Sequence, residues 1–149
     1  MVPTELRLIS WNIGGRVKAN PQQMAALKDH APDLLALQEV RLNALSRIGP
    51  HLAEMGLSHH LESVHLAADN DRMYGELIAS RWPLQEIHFA DKNAPFPERL
   101  ISASVDTPWG PIELHTAHIV PGVSNGYRKI EMFEDIYVRL AHHPVVPRI

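Results

Sequence analysis

The first forty residues predict a strand, a helix and a second strand, and this order restricts the chain to an α/β fold. Residues 6–13 are typical of a strand, and they stop at a glycine pair. Asn20 before Pro21 predicts the start of a helix, and Pro32 ends it. Residues 33–40 contain the run Leu-Leu-Ala-Leu at 34–37, which is apolar on both faces and indicates a buried strand parallel to the first. Together these segments predict a βαβ unit.

The middle of the chain predicts another helix and two further strands. Residues 42–55 favour a helix that Gly49 and Pro50 break or restart, because proline cannot donate a helical hydrogen bond. Residues 58–66 and 76–80 favour strands that a polar loop separates. We make no structural prediction for the segment around Pro95 and Pro97 that follows.

The last third of the chain predicts a hairpin and a helix. Residues 99–106 and 112–118 flank the turn sequence 107–110, which favours an antiparallel pair of strands. Residues 126–141 favour a helix, and residues 145–149 resemble the start of a further strand. We expect one apolar stripe of this helix to be core: Ile130, Phe133, Tyr137 and Leu140.

Four of the predicted strands end on a polar side chain: Asn12, Glu39, Arg81 and His118. In layered α/β domains, ligands collect outside one edge of the sheet, where the buried strands stop. Because neighbouring parallel strands lie about 4.8 Å apart, we expect Asn12 and Glu39 to emerge at the same edge, where they can share one ion. An amide, a carboxylate, a guanidinium and an imidazole suggest half of a phosphate-and-metal site.

Composition excludes several classes of protein. The chain has no cysteine, which excludes a disulfide scaffold and a cysteine-ligated zinc site. Its net charge is −3 without a block of Lys and Arg, which argues against a large basic surface for nucleic acid. No signal peptide or membrane-spanning apolar run is apparent, so we expect a soluble, cytoplasmic protein. At 149 residues, we expect one domain over residues 1–149.

Four motifs follow one another along the chain. They are Leu-Ile-Ser-Trp-Asn-Ile at 8–13, Pro-Asp-Leu-Leu-Ala-Leu-Gln-Glu-Val at 32–40, Gly-Glu-Leu-Ile-Ala-Ser-Arg at 75–81 and His-Thr-Ala-His-Ile-Val-Pro-Gly at 115–122. In this order they resemble the endonuclease/exonuclease/phosphatase superfamily. That superfamily includes DNase I-like nucleases, exonuclease III-like repair enzymes, inositol polyphosphate 5-phosphatases and neutral sphingomyelinases.

The resemblance implies a fold, a reaction and three site residues. The fold is part of a four-layered αββα sandwich, and the reaction is metal-dependent hydrolysis of a phosphate ester, with DNA or another phosphodiester as substrate. Asn12 and Glu39 match the metal-binding positions, and their oxygen atoms suit Mg²⁺, with Mn²⁺ as a substitute. His118 matches the position that contacts the scissile phosphate, and we assign it a catalytic role.

The chain also departs from the family pattern. The Gly-Asp-Phe/Trp-Asn motif, which orients the attacking water, and the C-terminal Asp-His pair, which supplies the base, have no match. We therefore expect an N-terminal portion whose C-terminal strands are missing, with little turnover alone and self-association through exposed sheet edges. Glu76 replaces a residue that is usually apolar, which suggests that this strand starts exposed or starts elsewhere.

Each candidate residue also has an ordinary structural interpretation. Asn12 can favour the turn at the glycine pair, and Glu39 can be a surface carboxylate paired with Arg41. His118 can be a hydrogen-bonded core histidine. For Arg81 we favour a structural role over a role in substrate binding.

Two other functions stay open at this point. The chain can be a catalytically silent half-domain that binds a metal or a partner, or an α/β module with fortuitous motifs. Zinc binding by the pairs His59-His60 and His142-His143, with His65 and His115, is disfavoured, because neighbouring residues of a strand point to opposite faces. We expect these histidines to lie on the surface.

Overall fold

The computed structural model describes residues 4–18, 20–67, 73–89, 94–141 and 145–149. In these residues, seven strands form two packed sheets, and the chain also has four α-helices. The elements are β1 (Leu8–Asn12), α1 (Asn20–Asp29), β2 (Leu34–Arg41), α2 (Leu45–Glu54), β3 (His59–Glu62), β4 (Tyr74–Ser80), β5 (Leu84–Glu86), β6 (Leu100–Thr107), β7 (Gly110–Ala117), α3 (Gly122–Asn125) and α4 (Arg128–Leu140). The pair His142-His143 lies outside the described residues.

The first sheet has the strand order β1-β2-β4-β3. β1 and β2 are parallel, with Asn12 opposite Gln38, so the predicted βαβ unit is confirmed. β4 runs antiparallel to both β2 and β3. Because β4 runs the other way, its first residues, and not its last, lie at the edge where Asn12 and Glu39 emerge.

The second sheet is antiparallel, with the order β5-β6-β7. The hairpin of β6 and β7 confirms the prediction from the turn sequence at 107–110. β5 has three residues and was not predicted, since so short a segment shows no periodicity. Arg148 forms a parallel bridge to Glu113 on β7, which agrees with a strand that starts near the C-terminus.

The core has two parts, one on each face of the first sheet. Between the sheets, Leu34 and Ile78 pack against Ile101, Val105 and Leu114. On the outer face, α1 and α2 cover β2 and β4 with these buried side chains: Met24, Leu27, Ile48 and Leu52. Among the described residues, no helix is long and apolar enough to cross a membrane.

The predicted break at Gly49 and Pro50 is wrong, because α2 continues through both residues. Pro50 withholds a hydrogen bond from the carbonyl of Ser46, one turn earlier, and both residues are exposed. Water can therefore satisfy that carbonyl. Ile48 and Leu52 are buried on the opposite face, and their packing holds the helix together.

The expected core stripe of α4 is also wrong. Ile130 and Phe133 are each 49% exposed and Tyr137 is 75% exposed, whereas Met132 is buried. The helix turns its other face inward, because Arg128 stacks on Phe96 and donates to the carbonyl of Pro95, and Arg139 stacks on Phe89. These contacts attach α4 through arginines, and most of the apolar stripe is left exposed.

Replacing Tyr137 by serine is expected to change the free energy of unfolding by less than about 0.5 kcal/mol, because the side chain is largely exposed. Met132→Ala is expected to cost about 2–5 kcal/mol, since it empties a buried position. Urea denaturation of both variants measures these values. A larger loss for Tyr137→Ser than for Met132→Ala would show that the apolar stripe is core after all.

Candidate functional site

Three of the four predicted side chains meet at one edge of the first sheet. Asn12 ends β1, Glu39 lies in β2, and His118 directly follows β7. Asn12 Nδ2 donates to Glu39 Oε1 at 3.0 Å, and His118 Nε2 lies 3.3 Å from the same oxygen. The side chains of Glu39 and His118 are 20% and 22% exposed, so solvent and a ligand can reach them.

Glu39 has an unusual backbone conformation for a residue with a side chain. Its φ of +57° lies in the left-handed region, and the pairing of β2 with β4 shifts register between Leu37 and Val40. β2 therefore continues past Glu39 to Arg41, and the glutamate lies in a β-bulge within the strand. Such a conformation costs about 1–3 kcal/mol and is concentrated at functional sites.

Backbone hydrogen bonds from the loop after β1 hold this bulge. Gly15 N donates to the Glu39 carbonyl and Ile13 N to the Gln38 carbonyl, each at 3.0 Å. Asn12 Oδ1 accepts from Gly14 N at 2.9 Å, so Asn12 also has the turn role that its sequence context suggested. The amide group joins the loop to Glu39 and fixes the carboxylate relative to β1.

Arg99, which the sequence did not indicate, determines the protonation of His118. Its Nη1 lies 2.6 Å from His118 Nδ1. A guanidinium only donates hydrogen bonds, so Nδ1 accepts and the single imidazole proton sits on Nε2, facing Glu39. Burial and the charge of Arg99 lower the pKa of His118, whereas Glu39 raises it. The hairpin register could have revealed this contact, because Leu100 pairs with Ala117.

Glu76 lies buried between the sheets behind this edge. It is 1% exposed, so the expectation that this strand starts exposed is wrong, although the strand does begin two residues earlier, at Tyr74. Thr116 Oγ1 lies 3.4 Å from Glu76 Oε2 and accepts from Gln38 Nε2 at 2.8 Å. Burial raises the pKa of Glu76 to about 8, despite the opposing effects of Thr116 and Arg99.

Two arginines place positive charge beside the carboxylate. The guanidinium groups of Arg41 and Arg99 lie 5.6 and 5.8 Å from the centre of the Tyr74 ring. Within the described residues, the buried Nε atoms of both arginines have no hydrogen-bond partner. Arg41 therefore stacks on an aromatic ring, and no ion pair joins it to Glu39 among the contacts of the described residues. Arg99 Nε also lies 3.6 Å from Glu98 Oε1, so this buried carboxylate balances part of the positive charge.

Arg81 lies at the opposite edge of the sheet, since Ser80 pairs with Leu34 at the start of β2. Its Nε donates to Asp33 Oδ1 at 2.8 Å, which supports the structural role favoured from the sequence. His59 and His60 lie on β3, away from Glu39. The side chain of His115 on β7 is 9% exposed, so the expected surface position of this histidine is wrong. Within the described part of the chain, no cluster of three or more His, Cys, Asp or Glu side chains could hold a metal ion.

The chain has two packed sheets with helices outside and a polar site at one sheet edge. This arrangement is part of a DNase I-like fold. The chain belongs to the Endonuclease/Exonuclease/phosphatase family, whose sequence model matches residues 9–143. This confirms the resemblance and the fold class predicted from the motifs. No curated protein sequence matches the chain.

Solved structures with the same fold are longer than this chain. D. rerio TDP2 complexed with single strand DNA product is 19% identical, with a TM-score of 0.66 over 95% of this chain and 57% of that chain. An AP endonuclease from Archaeoglobus fulgidus is 23% identical, with a TM-score of 0.66 over 91% of this chain and 51% of that chain. The chain spans about half to three fifths of the length of these neighbours.

Proposed function

We propose that the chain binds a divalent metal ion and a phosphodiester, and carries one side of the site of a metal-dependent phosphodiesterase. The observation that carries the proposal is the contact of Asn12, Glu39 and His118, which come from two strands of one sheet and from the end of the other. Family membership supports hydrolysis of phosphate esters as the reaction class. We also propose that residues 1–149 form one domain.

The donor atoms at this edge fit Mg²⁺. Glu39 offers carboxylate oxygens, a ligand type that Mg²⁺ prefers, and Mg²⁺ usually keeps several waters beside one or two carboxylates. The amide oxygen of Asn12 accepts from Gly14 N while Nδ2 faces Glu39, so Asn12 would ligate the ion after its amide turns. The strained bulge aims the Glu39 carboxylate at this position. When bound, Mg²⁺ would polarise a phosphoryl oxygen and stabilise negative charge.

The side chains around Glu39 would position the phosphate. His118 offers Nε2–H as a hydrogen-bond donor, because Arg99 occupies Nδ1. In this form the imidazole binds a phosphate oxygen and does not take a proton at Nε2. Arg41 and Arg99 place permanent positive charge near the monoanionic phosphodiester, and Glu98 balances part of it at Arg99.

We also propose that the 149-residue chain hydrolyses its substrate slowly. The motifs that orient water and supply a base in the family have no match in this sequence. Loss of acid–base catalysis alone lowers a rate by about 10²–10⁴-fold. Single-strand DNA is the first phosphodiester to test, because one structural neighbour was solved with such a product.

A combined binding and turnover experiment tests the proposal. Calorimetry of the purified chain with Mn²⁺ and Mg²⁺ should detect one site, and bis(4-nitrophenyl) phosphate and a single-strand oligonucleotide should show little or no hydrolysis. Metal binding with weak phosphodiester binding supports the proposal. Rapid metal-dependent hydrolysis would contradict the expected low turnover, and absence of metal binding would favour an α/β module with fortuitous motifs.

The same sample tests the expected self-association. β1 is an edge strand of the first sheet, and an unpaired strand edge can add a strand from another molecule. Size-exclusion chromatography with light scattering should then show a dimer or a larger species that grows with concentration. A monomer at all concentrations would contradict this part of the proposal.

A further inference from the structure

A second cluster of reactive side chains lies on the outer face of the second sheet. Ser102 on β6 pairs with His115 on β7. The Ser102 carbonyl accepts a hydrogen bond from Ile87 N, and His115 N donates to the Ile149 carbonyl. The backbones of Ser102 and His115 therefore bond to other partners and not to each other. Side chains of such a non-hydrogen-bonded pair lie close together. Ser102 Oγ is 2.7 Å from His115 Nδ1.

Glu113 orients the His115 ring from its other side. Its Oε2 lies 3.3 Å from His115 Nε2 and accepts from Arg148 Nε at 2.9 Å. Burial raises the pKa of Glu113, but hydrogen bonds from Arg148 and His115 outweigh burial and hold this pKa below its ordinary value. An ionised Glu113 accepts the Nε2 proton, which leaves Nδ1 free to accept the proton of Ser102.

The surroundings of His115 favour the neutral imidazole. Burial lowers the pKa of His115, Arg148 lowers it further, and Glu113 only partly opposes this. A neutral imidazole bonded to a hydroxyl on one side and a carboxylate on the other is the arrangement that activates a serine nucleophile.

Ser102 also lines a cavity of about 140 Å³. This volume equals that of about five water molecules, so it suits a short acyl group. Leu100, Phe89 and Pro97 supply apolar walls, and Arg139 supplies a cation. Arg139 is held in place by Asp135 at 2.8 Å and by the Phe89 ring at 4.9 Å.

We propose that Ser102, His115 and Glu113 form a second, nucleophilic site that accepts short-chain carboxylic esters. Ser102 Oγ attacks the ester carbonyl carbon while its proton passes to His115 Nδ1. The bond to the alcohol oxygen breaks, and the alcohol leaves with the proton from His115. Water then attacks the acyl-serine in the same way, which releases the acid and restores Ser102. Arg139, which lines the same cavity, supplies the positive charge for the carbonyl oxygen, where negative charge develops.

An active-site-directed reagent tests this site in the intact chain. An alkyl fluorophosphonate is expected to add once, at Ser102, with loss of fluoride, as mapped by peptide mass spectrometry. His115→Gln should slow the labelling by at least about 100-fold, the usual contribution of a general base. Hydrolysis of 4-nitrophenyl acetate should fall in parallel. Thermal melts establish that each variant is folded.

Matched controls make the result specific. Ser104→Ala changes a serine on the same face of β6 and should leave the labelling of Ser102 intact. Glu39→Gln should also leave this labelling intact, and this result would show that the two sites act independently. No adduct on Ser102 in the folded wild-type chain would overturn the proposal. Equal labelling rates in the wild type and His115→Gln would do the same. If His115→Gln does not fold, Glu113→Gln replaces it, and an unchanged rate there would also overturn the proposal.

Discussion

Replacing Glu39 by glutamine is expected to weaken binding of Mg²⁺ or Mn²⁺ by more than about 100-fold, because even changes to groups behind the metal ligands cost 10–100-fold. Glutamine has nearly the same shape and can keep the bulge, but it removes the single negative charge at the centre of the site. Asn12 and His118 both contact Glu39 Oε1, so the loss of this charge affects the whole cluster.

Isothermal calorimetry with Mn²⁺ measures this effect, and Glu54→Gln is a matched control. Glu54 is an exposed carboxylate that pairs with Lys28 at 3.2 Å, far from the site in the fold. Its variant should bind metal like the wild type. Equal affinities for wild type and Glu39→Gln would show that Glu39 is not a ligand, and this would remove the main support for the proposed function.

Replacing Glu76 by glutamine is expected to abolish a large pH dependence of stability. Burial raises the pKa of Glu76 from 4.5 to about 8, so the folded chain holds a proton there that the unfolded chain has released. The stability that the protonated carboxyl contributes is complete below pH 4.5 and is lost as the pH rises through about 8. The loss between pH 5 and pH 7 is on the order of 3 kcal/mol.

Urea denaturation at pH 5, 6, 7 and 8 in metal-free buffer measures this loss. The stability of the wild type should fall with pH more steeply than that of Glu76→Gln, whose amide does not titrate. Glu86→Gln alters an exposed carboxylate on β5 and should keep the wild-type slope. Parallel slopes for wild type and Glu76→Gln would mean that Glu76 is ionised in the folded chain.

Local patterns in the sequence were enough to predict most strands and helices. The βαβ unit and the hairpin follow from apolar periodicity, proline and a turn sequence, all of which act over a few residues. Asn12, Glu39 and His118 could be chosen because each follows or interrupts an apolar strand. The contact among them agrees with this choice, and their roles in binding remain predictions.

The same local patterns failed where packing decided the outcome. The apolar stripe of α4 suggested a core position, yet the stacking of Arg128 and Arg139 on phenylalanine rings turns that face outward. Pro50 suggested a helix break, yet Ile48 and Leu52 hold α2 together through their burial. Propensities amount to a few kcal/mol at most, so tertiary contacts override them.

The sequence by itself determined the fold class, the family and three residues of the candidate site, because motifs and apolar runs are carried by neighbours along the chain. Only the tertiary structure decided that Arg81 lies at the far edge, that Arg99 places the His118 proton on Nε2, and that Glu76 is buried. Charge and protonation depend on distance and dielectric in three dimensions, and residues remote in sequence set both.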